Sequence, residues 1–229
     1  LIISGVGKIR AAAAVSYLST FIGSDRPSIW LNIGIGGMGD VATGTSFMAN
    51  KITDRSSGKS SYPAIVFDVP CETAKVMTVD WPDSNHQKDV VFDMEASGFF
   101  QSAILFSNVE FVHAYKVISD FDAASIREVT KQFVSRLIEE KIPEIEVIMK
   151  GLSALVDDAN TTEEVYEKIV NYWRFSTTER IQLKKALDRW VACSGGQLLE
   201  FDQLSHATSA GDVIKSINKL IQSTPLTYP

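Results

Sequence analysis

The sequence predicts an α/β fold followed by a helical segment. Three observations carry this prediction. Short apolar runs rich in Val, Ile and Phe, bounded by Gly, Pro and Asn, recur up to about residue 122. Helical patterns at Lys8 to Phe21 and Glu95 to Ser107 interrupt those runs. From Ala123 onward the period is helical throughout. Residues 1–150 are therefore read as an α/β core and 151–229 as a helical C-terminal extension.

The elements follow in order. Leu1-Ile2-Ile3, with no turn before it, predicts the end of a strand that continues from upstream. Gly5-Val6-Gly7 predicts a tight turn, and the alanines Ala11 to Ala14 predict a helix that lies close against a sheet. Ser28 to Ile35 is apolar without alternation, as in a central strand. Gly34 to Gly39 predicts a flexible turn. Strands are predicted at Thr45 to Thr53, Tyr62 to Val69, Ala74 to Asp80, Val90 to Asp93 and Phe111 to Ile118. Helices are predicted at 123–140, 144–157, 161–173, 177–192 and 211–222. Thr161 and Ser176 are read as helix caps, because acids follow in the first turn.

Composition narrows the function classes. A formal charge of −6 with no basic stripe gives nucleic acid and anionic membranes no electrostatic footing. No apolar stretch reaches the ~18 residues of a membrane span, and no signal peptide is visible. Cys71 and Cys193 lie far apart without CxxC spacing, which predicts reduced thiols and a cytoplasmic protein. His86, His113 and His206 form no metal-ligand pattern, and His113 reads as a hydrogen-bonded core histidine. A small-molecule partner is expected, with no metal and no cofactor.

Gly34, Gly36 and Gly39 match the dinucleotide pattern GxGxxG, but no helix opens after them. A pyrophosphate would have no helix N-terminus to sit on, so the Rossmann reading is rejected. A plain turn and a backbone wall against a ligand remain. Ser4 to Lys8 lacks the phosphate-loop spacing, leaving a strand-to-helix turn or an anion or sugar site. Asp93 and Glu95 flank Met94 at a strand–helix junction, where acids also serve as helix caps. Ser119-Asp120, followed by Asp122, could cap a helix in the same way. Both acidic pairs follow strands of an α/β sheet, where ligands bind. A carboxylate that holds a sugar diol and an Asp that offers a proton to a base suit cleavage of an N-glycosidic bond. Trp81, in a Pro-containing loop, either packs on the domain or stacks on a planar ligand.

Four collinear segments resemble the purine nucleoside phosphorylase/nucleosidase superfamily, and within it the methylthioadenosine/S-adenosylhomocysteine nucleosidases. The family's Ser-Gly-Ile-Gly-Lys is matched by Ser4 to Lys8. Its Asn-x-Gly-x-x-Gly turn is matched by Asn32 to Gly37. Its Val-Glu-Met-Glu-Ala is matched by Phe92 to Ala96, and its Arg-x-Ile-Ser-Asp by Lys116 to Asp120. The resemblance covers residues 1 to about 140.

The resemblance implies a three-layer α/β/α sandwich around a mixed sheet, and a homo-oligomer, often a dimer. It implies hydrolysis of a purine nucleoside such as methylthioadenosine. By position, Glu95 would bind the ribose hydroxyls and Met94 would pack on the sugar. Asp120 would protonate or hydrogen-bond N7, and Ser119 would orient Asp120. Ile35, Gly36, Gly37, Asp93 and Trp81 would complete the substrate site. Ser4, Gly5 and Lys116 would form the nucleophile or anion region. Lys116 stands where the family has Arg, which loses the bidentate fork. Asn32 and Ile35 stand where phosphorylases carry phosphate ligands, which points to water as nucleophile. The family's opening strand and water-activating acid have no counterpart in this sequence. A phosphate-dependent phosphorylase and a catalytically weak nucleoside-binding or interaction module are the competing expectations.

Overall fold

In the computed structural model the described residues are 1–22, 28–82, 88–120, 129–194 and 197–224, with the backbone alone at 120, 158–161 and 192. The chain divides into two compact units, Leu1–Val156 and Asp157–Pro229. The first is α/β with a mixed sheet. Helix α1 (Lys8–Ile22) precedes β1 (Trp30–Gly37), β2 (Ser46–Asp54), β3 (Ser60–Ser61), β4 (Glu72–Thr78) and β5 (Val90–Asp93). Then follow α2 (Ala96–Ala103), β6 (Val112–Asp120), α3 (Lys131–Glu139) and α4 (Ile142–Tyr172).

The strand order is β3-β2-β4-β5-β1-β6, and β2 also pairs with β6, so the pairings close on β2 with β3 outside the ring. β1–β6, β2–β4 and β4–β5 are parallel, whereas β1–β5, β2–β3 and β2–β6 are antiparallel. The period of two along β6 divides its side chains between two cores. Val112, Ala114 and Ile118 join Ala11, Val15, Phe99 and Phe100 of α1 and α2. Tyr115 and Val117 join Met48, Leu137, Ile148 and Leu152. Helix α1 reaches α2 closely because residue 98 is glycine. A Cβ there would lie 2.0 Å from the Lys8 carbonyl oxygen.

Several sequence expectations are corrected. Residues 1–4 form no strand; among the described residues no neighbour supplies a hydrogen-bond ladder, and Leu1 and Ile3 are exposed. Gly34 to Gly37 is strand rather than turn, and only the residues after it bend away. Gly36 explains the difference. A Cβ on it would meet Val91 Cγ1 at 2.6 Å and the Phe92 carbonyl at 2.8 Å, so glycine here permits strand contact. Tyr62 to Val69 is irregular. Its alternation reflects Ile65, Phe67 and Val69 packing into a core, while the segment takes no place in the sheet. α2 is shorter than expected at both ends.

The helices predicted at 144–157 and 161–173 are one helix, α4, so no helix starts at Thr161. In the second unit, α5 (Thr177–Cys193) opens on the capping box expected at Ser176, with Glu179 closing it. α6 (Ala210–Ser223) buries Val213, Ile217 and Ile221. These pack with Ile169, Trp173, Leu183, Leu187 and Trp190 in a core internal to this unit. Among the described residues no helix is long and apolar enough to cross a membrane.

Candidate functional site

Three strands end together. Gly37, the last residue of β1, pairs with Phe92 of β5 and with Asp120 of β6. The register shifts between Gly36 and Gly37, which sets Ser119 off the ladder. Ser119 is buried, and its hydroxyl donates to the Gly36 carbonyl at 3.3 Å. The Asp93–Glu95 and Ser119–Asp120 segments therefore flank the same two glycines. Of Asp120 the backbone is described; its carboxyl lies outside the described residues, as do His86 and Asp122.

Asp93 and Glu95 separate in role. Asp93 is buried, and its Oδ2 accepts the Ala96 N–H at 2.8 Å and the Glu95 N–H at 3.3 Å. Its Oδ1 accepts the Thr78 hydroxyl at 2.7 Å, and Thr78 Oγ1 accepts the Ser97 N–H at 3.0 Å. These bonds satisfy amides at the start of α2 that the helix itself leaves without partners. Asp93 thus performs the capping that its position at the junction allowed. Glu95, the residue preceding α2, makes no side-chain cap bond. Its Oε1 instead accepts the backbone N–H of Gly7 at 2.8 Å. Gly7 has φ +108, a conformation that side chains rarely permit. The Gly turn of Ser4 to Lys8 and the Met94–Glu95 junction are thus joined directly.

Beside this junction lies a polar cluster that sequence reading missed. Lys8 Nζ sits 3.0 Å from Asp54 Oδ2 and 3.0 Å from Asp80 Oδ1, and donates to Ser56 Oγ at 2.7 Å. Hydrogen bonds to Asp54 and then Asp80 push the Lys8 pKa up from its ordinary value. Burial works against ionisation of Asp54, but bonds from Ser56, Lys8 and the Ser57 N–H outweigh it. They hold the carboxyl well below the usual carboxylate range. Ser97 Oγ, in the first turn of α2, also donates to Asp54 Oδ2 at 3.2 Å. The available signal was positional. Asp54 and Asp93 close β2 and β5, Thr78 closes β4, and Asp80 follows two residues later.

The remaining expected site residues differ in burial. Ile35 and Met94 are half-buried. Ser4 Oγ donates to the Gly5 carbonyl at 3.0 Å, and Gly5 has φ +78. Trp81 is 81% exposed. Lys116 is fully buried, with Nζ 2.7 Å from Asp93 Oδ2. His113 is buried, hydrogen-bonded through Nε2 to the Glu110 carbonyl at 2.9 Å, and burial lowers its pKa. Among the described residues no group of three or more His, Cys, Asp or Glu side chains could hold a metal ion.

A second hub surrounds Glu144. Its Oε2 accepts Tyr115 OH at 2.7 Å and Ser46 Oγ at 2.5 Å, and its Oε1 lies 2.6 Å from Lys141 Nζ. Burial opposes ionisation of Glu144, and bonds from Lys141, Ser46 and Tyr115 lower its pKa nonetheless. This hub fastens the first turn of α4 to β2 and β6.

No protein-family model matches the chain, and no curated protein matches it. Solved structures do. A nucleosidase from Chlamydia trachomatis is 14% identical over 62% of this chain and 74% of its own, with a TM-score of 0.48. The 5′-methylthioadenosine/S-adenosylhomocysteine nucleosidase of S. pneumoniae, with a transition-state inhibitor, is 20% identical over 68% of this chain and 80% of its own, with a TM-score of 0.46. That of Colwellia psychrerythraea, in complex with adenine, is 17% identical over 59% of this chain and 73% of its own, with a TM-score of 0.45. Each of these three similar structures is named as a nucleosidase, and each is at most 20% identical to this chain.

Proposed function

We propose that this protein hydrolyses the N-glycosidic bond of a purine nucleoside, with an adenine thioether nucleoside such as 5′-methylthioadenosine as substrate. The single observation that carries the reading is the double pairing of Gly37. It brings the Phe92–Ala96 and Lys116–Asp120 segments to one sheet end, where ligands bind in α/β folds. In this reading Glu95 takes the ribose hydroxyls, Met94 packs on the sugar, and the Gly36–Gly37 backbone walls the pocket. Asp120 gives its proton to N7 as the bond to C1′ breaks and the electron pair moves to the base. Water adds to C1′ and releases a proton to solvent. Ser119 orients Asp120, and fixed dipoles around the ribose support the oxocarbenium-like sugar.

Burial of the Lys116 ammonium against Asp93 favours water over phosphate as nucleophile, since a phosphate would need that charge exposed. The reading carries with it a three-layer α/β/α core over residues 1–150 and a helical extension over 151–229. It also carries a cytoplasmic homodimer that needs no cofactor. The test is base release from methylthioadenosine, adenosine and inosine, with and without phosphate, and identification of the sugar product. Free methylthioribose in both buffers supports hydrolysis. A sugar 1-phosphate formed only with phosphate would replace it with phosphorolysis, and no release from any of them would overturn it.

A further inference from the structure

Asp93 and Lys116 form a fully buried ion pair in the α/β unit, with both side chains at 0% exposure. Among the described residues Lys116 Nζ makes no directed hydrogen bond, so the 2.7 Å contact with Asp93 Oδ2 is its one electrostatic partner. A buried ammonium is costly unless it is paired. Room has been made for it nonetheless. Gly34 is the register partner of Lys116 on β1, and a Cβ at Gly34 would lie 3.1 Å from Nζ. The oxygen that faces Lys116 is the same Oδ2 that accepts the amides of Glu95 and Ala96. Its companion Oδ1 reaches the Ser97 amide through Thr78. Three successive amides at the start of α2 thus converge on one carboxylate and its hydroxyl partner. Lys116 supplies the opposite charge.

We infer that Lys116 is a positioning residue that acts through Asp93 to fix the backbone of Glu95, and is not a group that touches the nucleophile. This inference rests on the nucleosidase reading for the identity of what Glu95 holds. The Lys116 ammonium lies against the Asp93 carboxylate, and that carboxylate anchors the amides of Glu95 and Ala96. Glu95, free of capping duty, is left to take the Gly7 N–H and the ribose diol. Asp93 accordingly binds no substrate. Its role is to hold the turn that presents Glu95.

The experiment compares wild type, Lys116→Met and the double variant Lys116→Met/Asp93→Asn. The first readout is the ratio of kcat/KM for methylthioadenosine over its 2′-deoxy analogue, which reports how well Glu95 meets the ribose. Lys116→Met should raise KM and lower that ratio about tenfold, because the unpaired carboxylate no longer holds the turn. Adding Asp93→Asn removes the uncompensated charge and keeps an acceptor that caps nearly as well as Asp. The ratio should then return to within about threefold of wild type. The second readout is hydrogen exchange at the Ala96 amide relative to amides of α5. It should speed up about tenfold in the single variant and recover in the double. Recovery in both readouts supports the inference. A folded double variant without recovery would overturn it, since a lysine acting directly on the nucleophile cannot be replaced by changing Asp93. A double variant that fails to fold would overturn it too, because Met and Asn supply the cap without a buried charge. If wild type releases no base, the nucleosidase reading fails, and exchange at Ala96 alone then decides whether Lys116 works through Asp93.

Discussion

Glu95 Oε1 accepts the backbone N–H of Gly7 at 2.8 Å, across 88 positions of sequence. Two segments that look like separate turns in the sequence are one piece of structure. The carboxylate assigned to the sugar is fixed by the turn that opens α1, so a change in that turn should be felt at the sugar.

Gly7→Ala tests this coupling. A φ of +108 is strained for any side chain, and the substitution should cost about 2 kcal/mol, or roughly 6 °C in Tm. KM for the nucleoside should rise with little change in kcat, because Glu95, assigned to the ribose, loses its anchor. Thermal denaturation and steady-state kinetics check the two halves.

Asp54 predicts an acid limb in the stability profile. Its folded pKa lies below the ordinary value of 3.8, so the ionised carboxyl stabilises the fold at every pH above that value. The contribution is lost as pH falls from about 4 through the lower folded pKa. Asp54→Asn should cost about 2 kcal/mol at neutral pH and flatten the acid limb. Denaturant titrations of both proteins between neutral pH and pH 3 measure it.

Gly98→Ala should be among the most damaging small substitutions. The added Cβ would lie 2.0 Å from the Lys8 carbonyl, so α1 and α2 must part. A loss of about 3 kcal/mol is expected, from overpacking of a contact between backbones. Chemical denaturation checks it.

Burial, reinforced by Glu144, pushes the Cys71 thiol up to about 11. It should therefore stay protonated near neutral pH and react with iodoacetamide roughly a hundredfold more slowly than an ordinary thiol of pKa about 8.5. Mass spectrometry of the peptide carrying Cys71 after timed alkylation gives the rate.

Much of the α/β unit was legible because periodicity and turn chemistry agreed there. Val90 to Asp93 was read with its observed bounds, since the apolar run stops at an acid, whereas the strand read at Phe111 to Ile118 runs from Val112 to Asp120. The misreadings share a physical cause: one residue pattern answers to two structures. Gly34 to Gly37 looks like a turn by composition, yet glycine also serves a strand that another strand crosses closely, as the Gly36 contact with Val91 shows. Ile65, Phe67 and Val69 alternate like a strand but alternate for packing alone. The Lys8–Asp54–Asp80 cluster could not be read because its members lie far apart in sequence and meet only through the sheet order. The surroundings of Lys116 were hidden for a related reason. Its burial against Asp93 joins two segments that are separate in the sequence and meet only in the fold.

The most direct measurement is adenine release from 5′-methylthioadenosine in phosphate-free buffer by wild type and by Asp120→Asn. The account predicts release by the wild-type protein and a loss of at least about a hundredfold in kcat for Asp120→Asn, with the fold intact. Equal rates in the two proteins, or no release by wild type, would contradict it.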